Sequence, residues 1–520
     1  MVKTTTKIKK TKSLEETLYN DIAKTLRGAV EAAEYKHVTL PLLFLKFISD
    51  KFEDQREKLK ADGKSQFIEM KEFYQKDNVF YLEEDSRWSY IVKNAKASDI
   101  SIKLDTALNN IEKTNPSLKD ALPDNYYSRV NLSSSKIASL IDNINNNIKH
   151  EDDSFDLMGR IYEYFLQKFA VNEGKGKGEF YTPKSTVNLI AEMIEPYSGK
   201  IYDPCCGSGG MFVQSLKFIE AHKGDTKNVA VYGQEYTDTT YRLAKMNLAL
   251  RGISGNLGQT NADTFANDQH KDLKADYIMA NPPFNQKDWR AENELRDDPR
   301  WAGYDVPPVS NANYAWILNI VSKLSTNGTA GFLLANGALS DSDTKNIRKR
   351  LIENNLVESI VVLPRNTFYS TDISVTLWIL AKNKQVRELK IGDEVRHLRN
   401  REREVLFMDL RTWGSEFDKK YTELTETDIA RASGIYHTWQ EGDGYEDEPE
   451  TCRSVSFDEI KANGFSLVPS RYIEFVDRDS QIDFDTEMKR IQKDMSEILA
   501  EETSSEKTLR EAFGGLGYDV

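Results

Sequence analysis

The sequence predicts an α/β protein, with a mostly parallel sheet domain between an N-terminal α-helical domain and a C-terminal helical tail. Between residues 199 and 280, short apolar runs that end in glycine, proline or an acid alternate with helix-like segments. This alternation is typical of parallel strands joined by helices. From Leu14 to about Lys149, in contrast, the pattern is helical. We therefore expect a disordered basic tail at 1–13, then domains at 14–150 and 151–475, and a tail at 476–520.

Composition limits the classes of protein that are possible. The 520 residues contain 29% charged and 39% hydrophobic residues, and no stretch approaches the roughly 18 apolar residues of a membrane span. The N-terminal charges precede no apolar core, so we expect no secretory signal. Three cysteines and six scattered histidines predict free thiols, a cytoplasmic protein and no metal site.

The N-terminal domain is predicted from helical periodicity. Apolar residues recur every fourth position at Leu18, Ile22, Leu26 and Val30, and Leu40–Phe52 is strongly apolar. Asp142–Asn147 is mostly polar and predicts a loop. A helix over Leu157–Phe169 then opens the sheet domain, and the Gly/Lys alternation of Gly174–Gly178 predicts a mobile loop.

A glycine-rich turn follows the first predicted strand. Gly199–Tyr202 leads into Asp203-Pro-Cys-Cys-Gly207-Ser208-Gly209-Gly210 and then a helix-like run. Glycines allow a sharp reversal and close approach of the backbone to a ligand. No Gly-Lys-Ser/Thr follows, and the spacing is not Gly-x-Gly-x-x-Gly, so neither phosphate-loop nor dinucleotide motifs apply. A simple helix-capping loop remains the alternative.

Two acids follow the next predicted strands. Glu235 ends the run that starts at Asn228, about 28 residues after Gly207, where a nucleoside site places a carboxylate on ribose hydroxyls. Asp263 follows a presumed third strand and could accept a hydrogen bond from an adenine amino group, with Phe265 against the ring. Either acid alone would fit a solvated surface. Their ordered placement at strand ends favours a binding site.

The strand Ala275–Ala280 ends in Asn281-Pro282-Pro283-Phe284. Both prolines have fixed ring torsions and lack an N–H, so the Asn281 side-chain oxygen and the Pro282 carbonyl can accept hydrogen bonds from one planar amine. Phe284 offers a face on which an aromatic ring can stack, and Tyr181 could stack on the opposite face of that ring. The alternative is a strand that ends in a tight Pro-Pro turn.

Further strands complete the predicted sheet. They are Gly328–Asn336, Leu356–Pro364 and Ser374–Leu380, of which the last two suit an antiparallel hairpin at the sheet edge. Seven strands with one reversed are expected. The polar, tryptophan-bearing stretch from Asn285 to Pro308 is a candidate lid or DNA contact.

The order of these motifs resembles that of S-adenosylmethionine-dependent amino-group DNA methyltransferases. Gly178–Pro183, Asn313–Ile317 and Gly464–Tyr472 resemble segments of the modification subunit of type I restriction–modification systems. The resemblance implies a Rossmann-like S-adenosylmethionine-dependent methyltransferase core and N6 methylation of a flipped adenine. It implies that the cofactor is bound by Tyr181, Thr182, Pro183, Asp203, Gly207, Ser208, Gly209, Gly210, Glu235 and Asp263. It also implies that methyl transfer is carried out at Asn281, Pro282, Pro283 and Phe284.

Charge and length point to partners. The net charge of −13 is unusual for a chain that grips DNA unaided, and we identify no compact target-reading domain. The resemblance implies a specificity subunit flanked by two copies of this chain, and a restriction subunit for translocation and cleavage. Four apolar residues of the C-terminal segment recur at 3-4-3 spacing, which predicts an apolar seam on a helix: Met488, Ile491, Met495 and Ile498. This seam is expected to dock either on a partner, as the resemblance implies, or on its own domain.

Other functions stay open at the level of sequence. The same pocket would suit a stand-alone adenine methyltransferase, or an enzyme that modifies RNA or a protein glutamine. A catalytically silent, cofactor-binding assembly subunit is a further alternative. Asparagine at position 281 disfavours N4-cytosine methylation, since enzymes of that class more often carry serine there.

Overall fold

The computed structural model describes residues 13–149, 154–173, 181–222, 224–369, 371–391, 394–417, 420–476, 483–515 and 518. The basic tail before Ser13 and the Gly174–Gly178 loop lie outside these residues. Two compact units divide the chain, Met1–Tyr472 and Ile473–Val520. Within the described part of the chain, no helix combines the length and apolarity needed to cross a membrane.

The N-terminal part is helical, as predicted. Its helices are α1 (Leu14–Leu26), α2 (Tyr35–Ala61), α3 (Glu72–Gln75), α4 (Trp88–Lys93), α5 (Ile100–Thr114) and α6 (Ser134–Asn147). The Ser13 hydroxyl caps α1 by accepting from the Glu16 N–H at 3.2 Å. The loop predicted at Asp142–Asn147 is wrong, because these residues form the last turns of α6. Ile144 continues the spacing of Ile137 and Ile141 and is fully buried with them.

This helical part shares its core with the sheet domain. Helix α7 (Ser154–Glu173) and helix α10 (Asp238–Leu250) contribute Phe165, Leu243 and Met246 to the same buried cluster as α1 and α2. The Tyr162 hydroxyl donates to the Leu243 carbonyl at 3.3 Å. The N-terminal helices therefore pack directly on one flank of the sheet domain.

In the part of the chain that the structure describes, nine strands, rather than the seven expected, form one sheet in the order β13-β10-β6-β7-β5-β4-β1-β2-β3. All neighbouring pairs are parallel except those that involve β7 and the β10–β13 pair. The bounds are β1 (Gly199–Asp203), β2 (Val229–Gly233), β3 (Gly255–Asn256), β4 (Ala275–Ala280), β5 (Leu324–Ala335), β6 (Val357–Val362), β7 (Val375–Ala381), β10 (Glu404–Asp409) and β13 (Cys452–Ser456).

The antiparallel pair β6–β7 is confirmed, but its predicted position at the sheet edge is wrong. Strand β7 lies between β5 and β6, and β10 and β13 extend the sheet beyond them. Every residue of β6 and β7 is buried. Continuous apolar strands that are buried on both faces belong in the middle of a sheet, because an edge strand would expose them.

The remaining elements cover the sheet or extend from it. The helices are α8 (Lys184–Ile194), α9 (Gly210–Ala221), α11 (Asn313–Lys323), α12 (Lys345–Glu353), α13 (Glu426–Glu441) and α14 (Phe457–Ala462). Two short antiparallel pairs are β8 (Arg387–Ile391) with β9 (Glu394–Leu398), and β11 (Ser415–Phe417) with β12 (Tyr421–Glu423). Helix α15 (Phe484–Gly515) belongs to the C-terminal unit.

Strand register decides where the predicted site lies. Strand β1 pairs in parallel with β2 and with β4, with Asp203 opposite Gly233 and Tyr202 opposite Ile278. The segments that follow these strands therefore leave the sheet side by side, at its carboxyl edge. Ligands of open α/β sheets bind at this edge.

Candidate active site

A cavity of about 670 Å³ lies at the carboxyl ends of β1, β2 and β4. Its lining combines acids, aromatic rings and backbone from several elements. Of the residues predicted from sequence, it brings together Tyr181, Gly207, Ser208, Glu235, Asp263, Asn281 and Pro283. The other predicted residues lie next to these in the chain but not on the cavity wall: Thr182, Pro183, Asp203, Gly209, Gly210, Pro282 and Phe284.

The glycine-rich turn forms the floor of the cavity. Gly207 and Gly209 have φ angles of +53° and +78°, which L side chains rarely adopt. The Gly209 N–H donates to the Cys206 carbonyl at 2.8 Å and begins helix α9. The turn needs glycine at these two positions because of their backbone conformation.

Asp203 lies behind this turn and is almost fully buried. Its Oδ1 accepts from the Cys205 N–H at 3.0 Å. Burial raises the pKa of this carboxyl to about 7, and the nearby Glu235 charge adds to the increase. Asp203 therefore braces the turn and changes its charge near neutral pH.

Glu235 is held by backbone on both oxygens. Its Oε2 accepts from the Gly207 N–H at 3.0 Å, and its Oε1 accepts from the Thr237 N–H at 2.9 Å. The carboxylate thus bridges the end of β2 and the glycine turn. A carboxylate oxygen can accept more than one hydrogen bond, so Glu235 is chemically suited to accept from a ligand hydroxyl.

Asp263, Trp289 and Trp316 also line the cavity. Asp263 Oδ1 accepts from the N–H groups of Phe265 and Ala266 at 2.7 and 2.8 Å. The Phe265 ring lies 4.6 Å from Trp289 and 4.4 Å from Trp316, centroid to centroid. The sequence identified Asp263 and Phe265, but it did not identify the two tryptophans as cavity walls.

The tryptophan-bearing stretch at 285–308 is anchored by these contacts. The Trp289 indole donates to the Pro308 carbonyl at 2.8 Å, and the Trp301 indole donates to the Leu295 carbonyl at 2.7 Å. Both rings are buried. The stretch therefore has its own small core and forms a fixed wall of the cavity.

The side-chain amide of Asn281 is oriented by one hydrogen bond, which its nitrogen donates. Its Nδ2 donates to the Thr182 hydroxyl at 3.0 Å. Its Oδ1 is buried and accepts no hydrogen bond from the described residues. A buried acceptor without a donor costs about 1–3 kcal/mol, so a ligand that donates to this oxygen would remove that cost.

Asn313 fixes the chain directly after Phe284. Its side-chain Oδ1 accepts from the Asn285 N–H at 3.1 Å, and its Nδ2 donates to the Asn285 side-chain oxygen at 2.9 Å. Asn285 has a positive φ of 53°. This clamp holds the Pro-Pro turn and explains why an asparagine begins helix α11.

The aromatic ring that packs on Phe284 was not predicted. Phe368 lies 5.8 Å from Phe284 at an interplanar angle of 78°. Tyr181, expected opposite Phe284, instead stacks on Tyr369 at 6.1 Å. The adjacent pair Phe368-Tyr369 in the β6–β7 connection was visible in the sequence, but nothing local indicated which motif it would meet.

Two of the three cysteines are buried, and the third is partly buried. Cys205, Cys206 and Cys452 are free thiols, as predicted. Burial raises the pKa of Cys205 and Cys206 well above the usual range, which opposes a nucleophilic role. Among the residues with described placement, no group of histidines, cysteines and acids has the geometry of a metal site.

Comparisons with known proteins agree with this geometry. Residues 153–481 match the model of the family N-6 DNA Methylase, and residues 14–144 match the model of the HsdM N-terminal domain. The methylase subunit of the type I restriction enzyme HindI from Haemophilus influenzae is 45% identical over 368 residues, which cover 70% of this chain and 79% of that protein.

Two further similarities cover more of the chain. The methylase subunit of the type I restriction enzyme MjaIX from Methanocaldococcus jannaschii is 34% identical over 520 residues, covering 96% of this chain and 90% of that protein. The crystal structure of a type I methyltransferase subunit from Streptococcus thermophilus superposes with a TM-score of 0.71 at 23% identity. The superposition covers 88% of this chain and 100% of the Streptococcus thermophilus chain.

The superposition shows the same fold, and the methylase family model that matches residues 153–481 confirms the predicted Rossmann-like methyltransferase core. The two family models match in chain order and span most of the sequence. The chain therefore belongs to the N-6 DNA methylase family, as the adenine-specific methyltransferase (modification) subunit of a type I restriction–modification system.

Proposed function

We propose that Asn281 and the Pro282 carbonyl grip the N6 amine of an adenine swung out of a DNA duplex, while S-adenosylmethionine occupies the cavity beside them. The observation that carries this proposal is the buried Asn281 Oδ1, to which none of the described residues donates a hydrogen bond. An exocyclic amine would supply the missing N–H. The second amine hydrogen would then face the Pro282 carbonyl.

The two acceptors would act on the electrons of the amine. Hydrogen bonds from both N–H groups increase electron density on nitrogen and direct its lone pair into the cavity. The Thr182 hydroxyl holds the Asn281 amide in this orientation. Positioning alone can supply much of the rate enhancement, so no strong general base is required.

The target base would stack on Phe284, which is half-buried, with Phe368 supporting that ring from its edge. Swinging a base out of the duplex costs a few kcal/mol. Stacking on an aromatic ring contributes about 1–3 kcal/mol per base. Stacking therefore offsets much of the cost of extracting the base.

The cavity suits the nucleoside part of S-adenosylmethionine. Glu235 would accept from the ribose hydroxyls, because its two oxygens are already oriented by the Gly207 and Thr237 N–H groups. Asp263 would accept from the adenine amine, beside the rings of Phe265, Trp289 and Trp316. When bound, this cofactor supplies an activated methyl group on sulfur.

The methionine part would lie over the glycine turn. The Gly207–Gly210 backbone and Asp203 would face its ammonium group, and Tyr181, Thr182 and Pro183 would border its approach. Asp203 is buried behind the turn, so its negative charge would attract the ammonium across the turn rather than by direct contact at the cavity wall.

Cofactor affinity should depend on pH through Asp203. Its pKa is raised to about 7 in the free protein, so below pH 7 the carboxyl is mostly neutral and attracts an ammonium weakly. Affinity for S-adenosylhomocysteine, measured by calorimetry, should rise as pH increases from 6 to 7.5 and then level off. Asp203→Asn should flatten this profile, and an unchanged profile in that variant would contradict the assignment.

A separate specificity subunit would read the DNA sequence. The chain's net charge is −13, which opposes DNA binding without a partner. Helix α15 buries none of its side chains, and Met488, Ile491, Met495 and Ile498 are 44–65% exposed along one seam. We propose that this seam docks on the specificity subunit, in a complex of two modification chains, one specificity chain and a restriction subunit.

Methyl transfer with and without the specificity subunit tests this function. The chain should be co-purified with the product of a neighbouring specificity gene and incubated with duplex DNA and radiolabelled S-adenosylmethionine. We expect N6-methyladenine at one defined sequence, and only in the presence of both chains. Full activity of this chain alone would support a stand-alone enzyme, and no transfer by the complex would support a silent assembly subunit.

A further inference from the structure

The carboxyl end of strand β5 lies beside the proposed site of the target base. In the parallel pairing of β4 with β5, Ala280 lies opposite Phe332, and neighbouring strands of a sheet are about 4.8 Å apart. Phe284 and Asn336 each follow this pair by four residues. On its other flank β5 pairs with β7, and the connection before β7 contains Phe368, whose ring contacts Phe284. Asn336 therefore extends the strand that lies between the segments carrying these two rings.

The side chain of Asn336 is oriented by one hydrogen bond. Its Oδ1 accepts from the hydroxyl of Thr376, a fully buried residue of β7. Because an amide is planar, this contact also fixes the direction of the Nδ2 group, which carries two N–H donors. Among the described residues, none accepts a hydrogen bond from this Nδ2, and the Asn336 side chain is half-buried. The fold thus presents an oriented donor at the carboxyl edge of the sheet.

The turn that Asn336 begins is anchored by helix α11. It is a short 3₁₀ turn, Asn336–Leu339, in which the Ala338 carbonyl accepts from the Tyr314 hydroxyl at 2.7 Å. The preceding residue of α11, Asn313, holds Asn285 by two side-chain hydrogen bonds. Consecutive residues of one helix therefore fix the end of β5 and the chain after Phe284. A group held in this way loses little freedom when it binds a ligand.

The target base has acceptors that the proposed amine contacts do not use. Asn281 and the Pro282 carbonyl would both accept from the N6 amine. In adenine this amine is flanked by two ring nitrogens, N1 and N7, and each of them accepts hydrogen bonds. A neutral N–H donor beside the amine site would complete the recognition of this edge, and Asn336 carries such a donor.

We propose that Asn336 recognises the target adenine by donating an Nδ2 hydrogen to a ring nitrogen next to the amine, N1 or N7. The inference rests on the target site proposed above and extends it, since Asn281 accepts from the base and Asn336 donates to it. Thr376 positions the donor. A base without the ring acceptor is disfavoured, because the bound base then covers the donor and leaves it without a partner.

Analogues of the target base test this contact. The complex with the specificity subunit would methylate duplexes that carry adenine, 1-deazaadenine or 7-deazaadenine at the target position, with radiolabelled S-adenosylmethionine. Each analogue keeps the amine and replaces one ring nitrogen with C–H. For one of the two analogues, the wild-type complex should lose about 10-fold in kcat/KM, as for one hydrogen bond between neutral groups. That analogue identifies the nitrogen that is recognised.

Substitution of Asn336 should remove this discrimination. Asn336→Asp keeps an acceptor for Thr376 but lacks the N–H donor, so kcat/KM for adenine should fall about 10-fold or more. The variant should no longer prefer adenine over the analogue. Asn327→Asp is the matched control: Asn327 lies near the other end of β5, where its Oδ1 accepts from Asn383 Nδ2 at 2.8 Å. This control should retain the discrimination of the wild type.

Three results would overturn the inference. Equal discrimination by the wild type and Asn336→Asp would show that another group meets the ring nitrogen. Wild-type kcat/KM values within about twofold for adenine and both analogues would show that no such hydrogen bond forms, and this result stands even if the variants do not fold. Absence of transfer to adenine by the wild-type complex would reject the proposed function itself, whereas transfer without discrimination rejects only the role of Asn336.

Discussion

Asn281→Ala should lower the rate of methyl transfer by about 1,000-fold or more, with affinity for S-adenosylhomocysteine within about threefold of the wild type. The alanine removes the acceptor that would orient the target amine, and losses of this size are typical of preorganised groups that act on the reacting atoms. The measurement is radiolabel transfer by the complex with the specificity subunit, with calorimetry for ligand affinity.

Stability separates this catalytic role from a structural one. Asn281 Oδ1 is buried and accepts no hydrogen bond from the part of the chain that the structure describes. Its removal should therefore relieve about 1–3 kcal/mol, which offsets the lost hydrogen bond to Thr182. The unfolding temperature of Asn281→Ala should therefore equal or exceed that of the wild type. A clear fall in both unfolding temperature and ligand affinity would mean that the amide is structural.

Thr182→Val is the companion variant. It removes the hydroxyl that accepts from Asn281 Nδ2 at 3.0 Å but keeps the shape of the side chain. The amide would then be held less firmly, so we expect a partial loss of transfer, about 10- to 100-fold. Wild-type activity in this variant would show that the hydroxyl does not orient the amide.

Truncation after Asp479 should abolish assembly with the specificity subunit. This change removes helix α15, whose apolar seam includes Ile491 and Ile498, 44% and 65% exposed. The truncated chain should still bind S-adenosylhomocysteine, because the cavity lies entirely within the unit that ends at Tyr472. Size-exclusion chromatography of the co-expressed chains measures the loss of the complex.

Point substitutions test the seam without removing the helix. The double change Ile491→Asp and Ile498→Asp should also prevent co-elution, because it places charge in an apolar contact. Lys493→Asp is the control, since Lys493 is 76% exposed and lies off the seam. Co-elution of the truncated chain with the specificity subunit would reject this docking site.

The chemistry of the site was predictable because it lies in short, continuous segments. The Asn281–Phe284 turn, the glycine turn and the acid at position 235 each follow a strand, so local spacing and residue type were sufficient to identify them. Parallel pairing of β1 with β2 and β4 then brings them to one edge. The sequence-based roles of these residues stay predictions until a ligand is bound.

Other features depended on long-range packing. The last turns of α6 were not predicted because their sequence is mostly polar. In the structure, one buried isoleucine per turn packs this part of the helix against the core. The predicted sheet edge at the β6–β7 pair was wrong because β10 and β13, which were not predicted, extend the sheet beyond β6. A single sequence does not specify which strands will be neighbours, since any buried strand offers the same backbone hydrogen bonds.

By itself, the sequence determined the class of fold and the reaction, and it predicted which residues surround the target amine, because glycine, proline and asparagine act through local backbone geometry. The tertiary structure alone decided that Phe368 supports Phe284 and that Trp289 and Trp316 form the wall beside Phe265. These contacts join residues far apart in the chain. They depend on how whole elements pack, which no local pattern encodes.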